Sequence, residues 1–317
     1  MSNLKRIYIN EVSPRDGFQN EAIFIPTENK IAFINQLSAS GFHKIEVSSF
    51  TSPKAIPALR DAEMVMHEIQ RNPNVIYSAL VPNLRGAERA IECKVDEINL
   101  VMSLSETHNI ANLRMTREQS FAQIKAVIDA VQGSDVAINL SFSTVFGCPM
   151  EGDVSEETIE FWIDRFAQHS VKQITLCDTT GMAYPAQVKR IFSKTQEQFS
   201  NIAFTAHFHN TRGMGLVNAL AAAEVGITSF DASLGGLGGC PYAPGASGNV
   251  STEDLVHMFE LNGLTTGVDL NNVIAIAQTL PGIIEHDISS QVSKAGLRDK
   301  KHGIPDHVNQ FIQTLNS

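Results

Sequence analysis

Eight short β-rich runs recur along this chain, at 6–12, 44–50, 75–82, 97–103, 136–143, 173–178, 203–209 and 229–234. Between them lie segments with helical spacing, among them Thr27 to Ser40, Arg117 to Gln132, Ser155 to His169 and Pro185 to Phe199. Thr27 before Glu28, Ser155 before Glu156 and Glu157, and Pro185 read as helix starts, where short oxygen side chains and a fixed φ suit the first turn. Strand and helix alternating eight times predict an α/β fold, a parallel (β/α)8 TIM barrel, in preference to an open doubly wound sheet. The open sheet loses support because the first strand is followed by Ser-Pro-Arg-Asp-Gly rather than a GxGxxG turn. The barrel is expected over about 6–265, with a C-terminal helical extension over about 266–317, the whole of 1–317 forming one catalytic domain.

Composition narrows the function classes. The 317 residues include 24 Lys and Arg against 34 Asp and Glu, a formal charge of −10. Scattered cations in an acidic chain are a poor footprint for phosphate-backbone binding, so no nucleic acid partner is expected. Apolar runs fall short of the ~20 residues a spanning helix needs, so no membrane partner is expected either. Four dispersed cysteines without a CxxC pair, and a start with no signal-like apolar run, predict a reducing, cytoplasmic setting.

Active sites of such barrels sit at the C-terminal ends of the strands. There the sequence offers Arg15 and Asp16 after strand one, Glu46 in strand two, Asp178 ending strand six, His207 and His209 ending strand seven, and a glycine-rich segment with Cys240 and Asn249 after strand eight. Two histidines two apart in a strand point to the same side and can share a cation. With the Asp16 carboxylate and the Asn249 amide they form a mixed nitrogen and oxygen set suited to Mg2+ or Mn2+. Glu46, flanked by Ile45 and Val47, needs a partner such as Arg15 or the metal. Cys93, Cys148 and Cys177 read as buried, inert thiols, whereas Cys240 in a glycine-rich rim loop is a candidate for chemistry.

On EVSPRDGFQNE (11–21), IEVSSFTSPK (45–54), SETHN (105–109), CDTTG (177–181), HFHNT (207–211) and SLGGLGGCPYAPGASGNVSTEDLV (233–256), the chain resembles the 3-hydroxy-3-methylglutaryl-CoA (HMG-CoA) lyases. These belong to a wider group of divalent-metal barrels acting on acyl-CoA substrates. The resemblance implies that Asp16, His207, His209 and Asn249 bind the metal. It implies that Arg15 contacts the thioester carbonyl, that Glu46 belongs to the catalytic set and that Cys240 lies on a mobile loop over the substrate. Gln19 and Asp178 are expected to touch substrate alongside Arg15, and the chain to take an acyl-CoA and to be capable of forming a homo-oligomer. The implied reaction is retro-Claisen cleavage to acetyl-CoA and acetoacetate.

Two departures bear on the acyl group. Asn210 and Arg212 stand where mitochondrial-type lyases have Asp and Tyr, and Ser143 to Phe146 is bulkier than the small residues expected on the strand-five loop. They keep open a related branched substrate of citramalyl or methylmalyl type. An isopropylmalate-type synthase would carry a further domain, and a biotin-dependent carboxytransferase an inner-strand lysine, where this chain has only Lys44 at the edge of strand two. A non-catalytic CoA- or metal-binding barrel has no use for Arg15, Glu46 and Cys240 together.

Overall fold

All eight predicted runs become strands: β1 Tyr8–Glu11, β2 Lys44–Ser49, β3 Ile76–Leu80, β4 Glu97–Ser103, β5 Ala137–Ser143, β6 Gln173–Asp178, β7 Ala203–Phe208 and β8 Ser229–Ala232. They pair in chain order, all parallel, and β8 closes onto β1 through Tyr8 opposite Ser229 and Glu11 opposite Ala232. The structure, a computed structural model, describes residues 6–239, 245 and 247–315.

The helices are α1 Thr27–Ser38, α2 Ala62–Glu68, α3 Leu84–Glu92, α4 Glu106–Leu113, α5 Arg117–Val131, α6 Glu156–Ala167, α7 Pro185–Gln198 and α8 Gly215–Glu224. After β8 follow α9 Thr252–Leu261, α10 Leu270–Ala277, α11 Leu280–Ile284, α12 Val292–Ala295 and α13 Asp306–Leu315. Ser155 caps α6 by accepting from the Thr158 N–H, and Pro185 opens α7, as the sequence suggests. Thr27 is no cap: it is the first residue of α1, and its hydroxyl donates to Asp61 instead. Among the described residues no helix is long and apolar enough to cross a membrane.

The alternation along the strands runs opposite to that of a dry barrel. Apolar side chains such as Ile45, Val47, Ile98, Leu100, Leu140, Phe142, Ile174 and Leu176 are buried in the hydrophobic core, while their polar neighbours are cross-bonded inside the barrel. Asn99 of β4 accepts from Asn139 (3.0 Å) and Ser141 (2.8 Å) of β5, and Asn139 also donates to Thr175 of β6 (3.0 Å). Lys44, expected at a strand edge, is buried and paired with Glu97 at 2.5 Å. A lumen of this kind stands only because its polar groups find one another, since an unpaired one costs ~1–3 kcal/mol.

Candidate active site

Four strand ends bring the site together. Beyond β1, Ser13–Gly17 winds into a single π-helical turn with Pro14 near its start, and the Val12 carbonyl accepts from the N–H groups of Arg15 and Asp16. A tight turn that spends its first donors at once leaves the Arg15 and Asp16 side chains aimed over the barrel mouth. Arg15 donates from Nε to Glu46 Oε2 in a buried contact and from Nη1 to the half-buried Asp16 Oδ1, both at 2.6 Å. The other oxygen of Glu46 accepts from Asn99 Nδ2 at 2.8 Å, so the lumen network fixes this carboxylate from below while Arg15 holds it from above. Burial opposes the Arg15 charge, but Glu46 and Asp16 outweigh it and hold the guanidinium above its ordinary pKa.

At the end of β7, His207 and His209 bring their Nε2 atoms to 3.2 Å. Asp16, His207 and His209 each offer a ligand atom within 4.8 Å of the others. Asn249 pairs across the backbone with His209 and donates Nδ2 protons to Asp16 Oδ2 (2.7 Å) and the Leu237 carbonyl (2.8 Å), which commits both amide protons and leaves its carbonyl oxygen to accept or ligate. Burial opposes ionisation of Asp16, but Arg15 and the two histidines hold its pKa below the usual carboxylate value. Burial and the neighbouring His207 push His209 down to about 3, so its imidazole stays neutral with a lone pair free. His209 Nδ1 is a buried atom with no partner, while His207 Nδ1 lies 3.2 Å from Asp231 Oδ2. A proton held between Nδ1 and that carboxylate leaves Nε2 of His207 as the ligand atom, the arrangement usual for a metal-binding histidine. This donor set therefore fits a divalent cation.

Glycine is required where the last strand loop meets this group. Gly238 has φ +94°, and a Cβ there would lie 2.6 Å from Asn249 Nδ2 and 3.0 Å from Asp16 Oδ2. The close approach made here is thus to the Asp16 and Asn249 side chains. The segment from Leu234 to Leu237 is buried, and Ser289 binds the Gly235 carbonyl through both its N–H and its hydroxyl. Cys240 lies outside the described residues.

The structure thus gathers Arg15, Asp16, Glu46, His207, His209 and Asn249, and places two other candidates at the margin. Asp178 ends β6, its Oδ1 accepting from the N–H groups of Met182 and Ala183 and its Oδ2 buried without a partner; burial pushes its pKa up to about 7. Gln19 lines a cavity of about 520 Å3 that extends past Thr51, Leu80 and Val101 to Asn112 and Met115. Cys93, Cys148 and Cys177 are buried, and burial raises Cys177 well above its ordinary pKa, which keeps that thiol protonated.

Two expectations about specificity change. Val145 and Phe146 are buried, and Phe146 packs on Phe192 and Phe208, so their bulk serves the core rather than the substrate. Arg212 donates to the carbonyls of Thr180 and Gly181, tying two loops together, and Asn210 accepts from the Gly215 N–H, bracing its own loop. Sequence reasoning missed Asp231, Asn99, Glu11 and Glu253. The signal used for Glu46, a charge inside a strand, was equally present at Asp231 and Glu11.

A family profile described as HMGL-like matches residues 6–280. Hydroxymethylglutaryl-CoA lyase of Bacillus subtilis is 45% identical over 274 residues, 86% of this chain and 92% of that protein. A solved HMG-CoA lyase from Acinetobacter baumannii, in complex with coenzyme A and 3-methylmalate, is similar with a TM-score of 0.90 at 52% identity, covering 94% of this chain and 98% of that one. The (R)-citramalyl-CoA lyase of Chloroflexus aurantiacus is 35% identical, covering 92% of this chain and 96% of its own. By the extent of these matches, the chain belongs to the HMGL-like family.

Proposed function

We propose that this protein is a hydroxymethylglutaryl-CoA lyase, cleaving 3-hydroxy-3-methylglutaryl-CoA to acetyl-CoA and acetoacetate. The observation that carries the reading is the convergence of Asp16, His207 and His209 beside a buried Arg15–Glu46 pair at the barrel mouth. Asp16, His207, His209 and Asn249 would hold Mg2+ or Mn2+, which when bound supplies a Lewis acid for the tertiary hydroxyl. The hydroxyl proton passes to a base near Asp16 or His207. The carbon–carbon bond then breaks, leaving a ketone on one fragment and its electron pair on the thioester α-carbon as an enolate. Arg15, with Nε and Nη1 engaged by Glu46 and Asp16, retains Nη2 for the enolate oxygen. Glu46 keeps the guanidinium oriented, and Cys240 is suited to protonate the α-carbon. Asp178 and Gln19 contact substrate, and chain 1–317 acts as one catalytic unit.

The test is a panel of CoA thioesters with Mn2+ present, followed by acetyl-CoA release. The expected outcome is the highest kcat/KM on HMG-CoA. A higher value on citramalyl-CoA would favour the second reading, to which the Chloroflexus relative points. Absence of cleavage across the panel would leave the chain a binding barrel.

A further inference from the structure

Glu11, outside the cluster just described, is fully buried at the end of β1. Its Oε1 accepts from the N–H of Ser13 at 2.8 Å and from the N–H of Leu234 at 2.9 Å, and its Oε2 accepts from the Thr252 hydroxyl at 2.6 Å. These three donors belong to separate segments. Ser13 opens the turn that carries Arg15 and Asp16; Leu234 opens the run to Gly238, which lies against Asp16 and Asn249; Thr252 begins α9, three residues after Asn249. Glu253, equally buried, adds a parallel tie by accepting from the Gly235 N–H at 3.0 Å and the Ser251 hydroxyl at 3.1 Å.

A carboxylate that meets three donors from three segments, in a place where burial works against its charge, is an expensive way to fill space. An apolar side chain would pack there without desolvating a charge, yet could not fix the relative positions of the segments. We infer that Glu11 is a positioning residue, whose three hydrogen bonds lock the Arg15–Asp16 turn, the root of the glycine-rich segment and the residues after Asn249 into one frame, so that Asp16 and Asn249 are held ready for a cation. This rests on the proposed metal role of Asp16 and Asn249. It predicts that reach, rather than charge, is the essential property of the side chain.

The experiment compares Glu11→Asp, Glu11→Gln and Thr252→Val in the full chain, reading Mn2+ affinity from free-ion EPR, kcat at saturating Mn2+, and folded fraction by circular dichroism. Glu11→Asp keeps the charge but is one methylene too short to meet all three donors. Its Mn2+ affinity per folded molecule is expected to fall ~10- to 100-fold, the range found when groups that orient metal ligands are removed. Glu11→Gln can accept both N–H groups through its carbonyl and give its amide to the Thr252 hydroxyl, so it is expected to stay within a few-fold of wild type. Thr252→Val, which removes one tie, should shift affinity in the same direction by less, and it decides the matter if Glu11→Asp does not fold. Unchanged Mn2+ affinity and kcat in folded Glu11→Asp, even with a lower Tm, would show a purely structural acid and overturn the inference, as would equal damage in Glu11→Gln. Asp16→Asn separates the two levels. If it binds Mn2+ like wild type, the metal reading itself fails; if it loses Mn2+ while Glu11→Asp does not, only the positioning role of Glu11 fails.

Discussion

Replacing Asp231 by leucine removes the group that sets the proton position on His207. In the folded protein Asp231 Oδ2 lies 3.2 Å from His207 Nδ1, and its Oδ1 accepts from Asn10 Nδ2 at 2.9 Å. With the carboxylate gone, nothing favours the Nδ1–H tautomer, and the Nε2–H form presents a proton where a cation needs a lone pair. Asn10 keeps a partner in Ser229 Oγ at 3.2 Å, so the lumen around the substitution loses one bond rather than collapsing. The expected loss in Mn2+ affinity is ~10- to 100-fold, equivalent to about 1.4 to 2.7 kcal/mol. Asp231→Asn should do far less damage. Its carbonyl can still accept from His207, and Asn10, whose Oδ1 is buried without a partner, can turn over to accept from the new amide. Mn2+ titration by EPR, paired with kcat against Mn2+ concentration, distinguishes the variants, and excess Mn2+ should restore much of the Asp231→Leu turnover. Wild-type Mn2+ affinity in Asp231→Leu would refute the reasoning, because His207 would then be oriented without its carboxylate.

Arg15→Met should lower kcat on the best thioester by about a hundredfold, since the guanidinium acts mainly on charge that develops as the bond breaks; an unchanged kcat with raised KM would assign it to binding alone. His207→Ala or His209→Ala should abolish Mn2+ binding and turnover while circular dichroism stays native, and wild-type activity in excess EDTA would dismiss the cation altogether. Lys44→Met should cost ~3–5 kcal/mol at neutral pH by stranding Glu97 in the lumen, and Lys44→Met with Glu97→Met should recover most of it in urea melts. Burial pushes Glu253 up to about 7. Its folded pKa lies above the unfolded value, so its contribution to stability is fully present below about 4.5 and is lost as pH rises through about 7. Relative to wild type, the Tm of Glu253→Gln should therefore climb between pH 5 and pH 8, and a parallel pair of Tm profiles would contradict this.

Strand positions were legible because period-two alternation of apolar and polar side chains writes itself into the residue order, and the cluster of Asp16, His207 and His209 because titratable groups at strand C-terminal ends have no competing packing explanation. The barrel interior was not legible for a related reason. Alternation says which side chains share a face, and says nothing about whether the inner face is dry; Asn99, Asn139, Thr175 and Lys44 read as ordinary strand residues until closure of the sheet brings β2 through β6 around one axis. Glu46 illustrates the step from one level to the other. Its neighbours in sequence predict only that it needs a partner, whereas closure supplies two, Arg15 on one oxygen and Asn99 on the other. The departures at Arg212 and Phe146 failed as specificity signals because a residue's bulk or charge carries no direction in a sequence. The backbone at those points turns Phe146 into the core and Arg212 onto the Thr180 and Gly181 carbonyls. Asp178 belongs to the same lesson: its place at the end of β6 is legible, whereas the N–H groups of Met182 and Ala183 that occupy one of its carboxylate oxygens, and the burial that leaves the other without a partner, appear only in the folded chain.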